Sequence, residues 1–141
     1  MRYFFIFLFI ISCNGKQEKK NISSIDITQH RDLLSITCSL KSLDGIMEIY
    51  KINKDSIYSD NVKKKIKKYD YEKIMNVPKT IYKKGGKYGC GVCTDEVDFI
   101  FLFDFGNKQT IWEIEPNIKL PKETEEYFTL LINKYKQFVH H

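Results

Sequence analysis

The chain has 141 residues, 43% of them hydrophobic and 29% charged, and a net charge of +5. That length and apolar content fit one small folded domain and exclude a disordered chain. The positive excess speaks to solubility. With no arginine-rich run, no aromatic RNA-binding signature and no zinc-finger spacing, nucleic acid is not an expected partner.

The N-terminus reads "MRYFFIFLFIISC". Arg2 is followed by nine apolar residues from Tyr3 to Ile11, then Ser12 and Cys13. A helix that spans a bilayer needs roughly 20 apolar residues. The run is too short for that and has the form of a secretory hydrophobic region with a small residue at the cut. The tetrad Ile10-Ile11-Ser12-Cys13 resembles a bacterial lipobox, with isoleucine where leucine is commonest. In proteins with that motif the cysteine thiol takes a diacylglyceryl group and signal peptidase II cuts before it. The resemblance implies a signal peptide over residues 1–12 and an acyl anchor on Cys13. Acyl chains bind a bilayer with about 0.8 kcal/mol per buried CH₂, so two or three of them hold a protein firmly. Residues 13–25 include "NGKQEKKNISS", which has no periodicity and reads as a flexible tether. A single domain is expected over 26–141.

Within that domain, Leu34, Ile36, Cys38 and Leu40 alternate with Ser35, Thr37 and Ser39, the period of a half-buried strand. Asp44-Gly45 marks a turn. "IMEIYKI" alternates again, and "DSIYS" extends it or adds a strand after a turn at Asn53-Lys54. From Asp60 the spacing of Val62, Ile66 and Tyr69 predicts a helix face with Asp60 as N-cap. Lys63, Lys64, Lys65, Lys67 and Lys68 then form its solvated side, or alternatively a basic patch for phospholipid or lipopolysaccharide phosphates. A further short turn capped by Asp70 runs through Ile74 and Met75 and stops before Pro78.

Four of the seven glycines lie between Gly85 and Gly91. They predict an irregular loop with positive φ angles. It is not a phosphate loop, because no lysine-serine pair follows and the next segment reads as a strand. In that strand Val97, Phe99, Phe101, Phe103 and Phe105 share one face, with Ile100 and Leu102 on the other. Two apolar faces point to a central strand covered on both sides. Gly106-Asn107 turns the chain and "TIWEIEP" returns it. "LPKETEEYFTLLINKYKQFV" is the strongest helix: Pro121 suits its first turn, glutamates 123, 125 and 126 sit near its positive end, and Phe128, Leu131, Ile132, Tyr135 and Val139 form an apolar stripe. The stripe is expected to pack on the phenylalanine face of the 97–105 strand.

Cys90 and Cys93 carry the sharpest chemical question. In an exported protein disulfides persist. With Cys13 acylated, Cys38, Cys90 and Cys93 remain as disulfide or redox candidates. A thioredoxin-like role needs the pair at a helix N-terminus, where the thiol pKa falls. Here Thr94-Asp95-Glu96 and a strand follow, and acids raise a thiol pKa. A zinc site needs a full tetrahedral ligand set, and Cys90 and Cys93 supply only half. The further candidates are Cys38, His30, His140 and His141. The first reading is therefore a loop staple, Cys90 bonded to Cys93 or to Cys38. Hydrolase chemistry needs an ordered histidine base, and His30 alone is not at the chain end. Of the carboxylate pairs, Asp95 with Glu96 and Asp98 with Asp104, strand alternation puts most members at solvent.

The lipobox, the lysine-bearing tether and the run "YDYEKIMNVPKTI…GCGVCTDEVDFIFLFDFG…IWEIEP…LPKETEEYFTLLINKY" resemble the small uncharacterised lipoproteins of Bacteroidota. Those chains show a short helix, a proline-bearing linker, a C-x-x-C-x-D loop, a hairpin and a last helix. Cys90, Cys93 and Asp95 match the loop. The resemblance implies export and lipidation at the bacterial outer membrane and carries no activity. The acidic run that often follows the lipidated cysteine in surface-exported members is missing, so the periplasmic and outward faces both stay open.

The expected architecture is α+β: an antiparallel sheet of about four or five strands, a C-terminal helix on one face and a short mid-chain helix. The expected function is a membrane-anchored, non-enzymatic envelope module that binds another protein or a small ligand. The alternative is a thiol-redox or metal-handling lipoprotein acting through Cys90 and Cys93, with zinc as its cofactor.

Overall fold

A computed structural model describes residues 31–60, 62–89 and 97–139. The expectations for Cys13, His30, Cys90, Cys93, Asp95, Glu96, His140 and His141 lie outside the described residues. The elements in chain order are β1 (Ser35–Ser42), β2 (Gly45–Asn53), β3 (Ser56–Ser59), β4 (Val62–Lys65), α1 (Lys68–Met75), α2 (Lys79–Lys83), β5 (Gly86–Tyr88), β6 (Asp98–Asp104), β7 (Gln109–Ile114) and α3 (Lys122–Val139). All seven of these strands form one sheet in the order β4-β3-β2-β1-β6-β7-β5.

The α+β class holds. The sheet is larger than expected and mixed, because β5 runs parallel to β7 while every other pairing is antiparallel. Two segments account for the extra strands. Val62–Lys65 extends a hairpin with β3 instead of starting a helix. Asp60 is a turn residue with φ 41°, not an N-cap. The helix starts only at Lys68, so Asp70 lies in its first turn. Lysines suit both a solvated helix and an exposed edge strand, so their content alone does not separate the two.

The second segment is the glycine-rich stretch. Gly89 does take a positive φ of 118°. Gly86 opens β5 for a different reason: a Cβ there would lie 2.7 Å from Cζ3 of Trp112. Close approach, not turn geometry, requires glycine at that position.

Alternation places the core on one side of the sheet. Ile36, Cys38, Tyr50, Ile52, Ile57, Phe101, Phe103 and Trp112 are buried there. A β-bulge at Ile49, between the Cys38–Tyr50 and Ser39–Glu48 pairs, moves Met47 in register with Leu40 and Phe99. Phe128, Leu131, Ile132 and Tyr135 of the α3 stripe pack on the core as expected. Phe128 meets Phe101 at 5.4 Å and Trp112 at 5.3 Å between ring centroids, and Tyr135 meets Phe99 edge-on at 5.4 Å. Tyr127, outside the expected stripe, is also buried, and its hydroxyl donates to the Ile74 carbonyl at 2.7 Å. Tyr50 donates likewise to Leu131 at 2.7 Å. These two bonds tie α3 to α1 and to β2.

The opposite face is more solvated than two-sided cover would require. Ile100 and Leu102 are half-buried, and Ile111 beside them is exposed. Glu113 holds this face together, accepting from Lys41 at 2.9 Å and Lys87 at 3.2 Å. Those two ammonium groups, Lys41 first, keep its carboxyl below the usual range.

Candidate functional site

Cys38 is fully buried between its strand neighbours and is a free thiol. Burial pushes it up to about 12, partly offset by a hydrogen bond with Tyr50. At neutral pH it is therefore a protonated core residue and a poor thiolate for exchange or metal. Cys90 and Cys93 lie in the connection between Tyr88 at the end of β5 and Asp98 at the start of β6. Among the described residues no group of three or more His, Cys, Asp or Glu side chains could hold a metal ion.

The carboxylates do not form an acid–base pair. Asp98 and Asp104 are at opposite ends of one strand, which separates them by about 20 Å. Asp98 is buried, against the solvent position expected from alternation. Asp104 shapes the β6–β7 turn, accepting from the Gly106 N–H and from Gln109 Nε2, both at 2.8 Å. Those bonds, Gly106 first, hold its carboxyl below the usual range.

Chemistry gathers instead at the β4 edge. Directly opposed residues share a face, so the register carries one row across the sheet: Ile36, Ile52, Ile57 and finally Lys64. The first three are core. The fourth position falls at the last strand, where the row meets solvent, and it is a lysine. Beside it is a cavity of about 310 Å³. Lys64, Lys65 and Lys67 line it from β4 and the start of α1, and Lys134 from α3, with Ile57 and Ile66 as its apolar part. Asp70 is the one acid among the described lining residues.

Lys134 is nearly buried, and its Nζ donates to Asp70 Oδ2 at 2.6 Å. This bond is the first cause of the lowered Asp70 pKa. Lys65 makes a looser pair with Asp55 at 3.5 Å. Two of the lining lysines are thus each paired with a carboxylate, Lys134 with Asp70 and Lys65 with Asp55.

No family model, curated protein or solved structure matches the chain.

The cavity's chemistry therefore rests on its own side chains. Lysine ammoniums converging from three elements, with an apolar floor, are suited to an anion. The sequence reading found the β4 lysines and gave Asp70 only a capping role, but missed Lys134. One signal was available: Lys134 lies seven residues after Tyr127, on the same flank of α3, so a lysine was due to sit beside a buried tyrosine. A second hollow of about 300 Å³, with Lys73, Asn76, Glu123 and Glu126 in its lining, mixes charges of both signs and favours no ligand class.

Proposed function

We propose that this protein is an exported lipoprotein, acylated at Cys13 and tethered to the bacterial outer membrane, whose α+β body is a non-enzymatic binding module. The carrying observation is the apolar run from Tyr3 to Ile11 that stops at Ser12-Cys13 and gives way to a polar stretch before the first strand at Ser35. Among the described residues no helix is long and apolar enough to cross a membrane. Among the described residues the body's most built feature is a cavity lined by lysines, which suits it to binding.

Mass spectrometry of the native product tests this. The expected N-terminal peptide begins at Cys13 and carries acyl chains, and Cys13→Ser abolishes both acylation and membrane retention. A peptide that keeps Met1, or a bare Cys13, overturns it. The thiol or metal alternative through Cys90 and Cys93 is favoured only by their spacing and by their place in the β5–β6 connection. It is supported if both label freely without reductant and zinc co-purifies.

A further inference from the structure

The outer strands of the sheet are poor templates for another chain. β4 is one valine and three lysines, and charge on an edge strand blocks pairing. β5 offers only three residues. A further stretch of edge lies open on the β3 side of β2. β3 pairs with β2 only from Lys51 to Asn53, and the chain turns into β4 at Asp60. β2 runs on to Gly45, paired there with β1 alone among the described residues. The sheet therefore has a notch beside Ile46–Ile49, where alternate residues point their N–H and C=O groups at no described strand.

The side chains at the notch do not guard it. Ile46 and Met47 are exposed on opposite faces, and β2 carries no lysine until Lys51, where β3 takes up the pairing. Met47 ends a core row that runs Ile114, Phe99, Leu40, Met47 across four strands. Burial falls off along it: Phe99 is 7% exposed, Leu40 is half-buried and Met47 is 62% exposed. The row through Ile36 and Ile52 instead continues to Ile57 of β3 and is buried to that point. The bulge at Ile49 does protect an edge, but it sits at the inner end of the notch, and Gly45–Glu48 keep regular register with β1. Charge is one-sided here. Asp44, Glu48 and Asp60 are exposed along the notch, and none of them forms an ion pair among the described residues.

We propose that the notch receives an extended segment of a partner protein, which adds to the sheet as a strand beside Ile46–Ile49, apolar on the side that meets Met47 and basic on the side that meets Glu48. Its main chain takes up the open N–H and C=O groups. Its apolar side chains lengthen the Leu40–Met47 row by one position, as Ile57 lengthens the row below. Its lysine or arginine pairs with Glu48, which shares the outer face with Ile46. This deepens the binding-module reading above. It stands on the edge of the sheet and not on Cys13, so the two can fail separately.

The full chain in detergent micelles is mixed with a short capped peptide in which valine alternates with lysine, and amide hydrogen exchange is read residue by residue. The β2 amides that point into the notch should exchange several-fold more slowly with the peptide present, while those facing β1 change little. A counterpart peptide with glutamate in place of lysine should bind roughly fivefold more weakly, the scale of one cross-strand charge pair. Glu48→Lys should reverse that preference. Met47→Lys, with an unaltered circular dichroism spectrum, should abolish the protection. Exchange unchanged at millimolar peptide overturns the proposal while leaving Cys13 acylation intact. Equal protection by a peptide N-methylated along its pairing edge shows that no strand is added and overturns it. Equal binding of the glutamate peptide overturns the basic partner. Protection that rises with protein concentration alone, with a matching rise in mass by light scattering, overturns the partner protein in favour of a second copy of this chain.

Discussion

Lys134 of α3 and Asp70 of α1 meet at 2.6 Å across 64 residues of sequence. This pair closes one wall of the cavity and joins the last helix to the first. Hydrogen bonding from Lys134, ahead of the more general pull of Lys67 and Lys73, holds the Asp70 carboxyl below its usual range. A carboxylate lowered by folding adds stability that is complete above its unfolded pKa, near 3.9, and is lost as pH falls through the folded value. Asp70→Asn should cost about 1–2 kcal/mol at neutral pH. In urea melts taken across pH, that cost should shrink towards zero in strong acid. A penalty independent of pH would mean that the carboxylate charge has no part in it.

Cys38 gives a prediction of the opposite sign. Folding raises its thiol from 9.0 to about 12. A neutral thiol favoured by burial contributes stability in full below the unfolded value, and that contribution is lost as pH climbs from there towards 12. Unfolding midpoints should therefore begin to fall above pH 9. At neutral pH a thiol reagent should modify Cys38 no faster than the domain opens globally, which the peptide-resolved labelling rate measures against the unfolding rate. Fast labelling in the native state would contradict the buried position.

Gly86→Ala tests the parallel β5–β7 contact. The new Cβ would crowd the Trp112 ring, on which Tyr88 also stacks at 5.4 Å. Overpacking of this kind costs about 1–3 kcal/mol. Expected signs are a lower melting temperature and a shift in the near-ultraviolet signal of Trp112, the chain's one tryptophan. An unchanged Trp112 signal would show that β5 does not lie against it.

Phe128→Ala should be among the most damaging single changes. Its ring meets Phe101, Phe103, Trp112 and Tyr127, and a cavity left by such a residue costs about 3–5 kcal/mol. Tyr127→Phe keeps the ring but leaves the Ile74 carbonyl without its donor, for about 1–2 kcal/mol. Chemical denaturation of both variants checks the order, and a larger loss for Tyr127→Phe would reverse this account of the α3 interface.

Much of the sheet was legible because its inner strands obey period two under a single constraint, one face in the core. β1, β2, β6 and β7 show this, and Phe128, Leu131 and Tyr135 show the matching helical period that must cover them. The reading failed where that constraint lapses. β4 buries no residue, so nothing in Val62–Lys65 separates strand from helix, and Val62 and Ile66 happen to fall at helical spacing. β5 is three residues long and is held by main-chain pairing with β7, a partner over twenty residues away.

By itself the sequence determined the local periods, the turns before Gly45 and at Gly106-Asn107, and which face of each inner strand is apolar. Those follow from sterics and from the cost of exposing hydrocarbon, both of which act between near neighbours. Only the tertiary structure decided where the sheet ends, why Gly86 must be glycine, and that Lys64, Lys67, Asp70 and Lys134 surround one cavity. Edges and charge clusters depend on which distant segments the fold brings together, and lysines separated along the chain carry no mark of the partner they will meet.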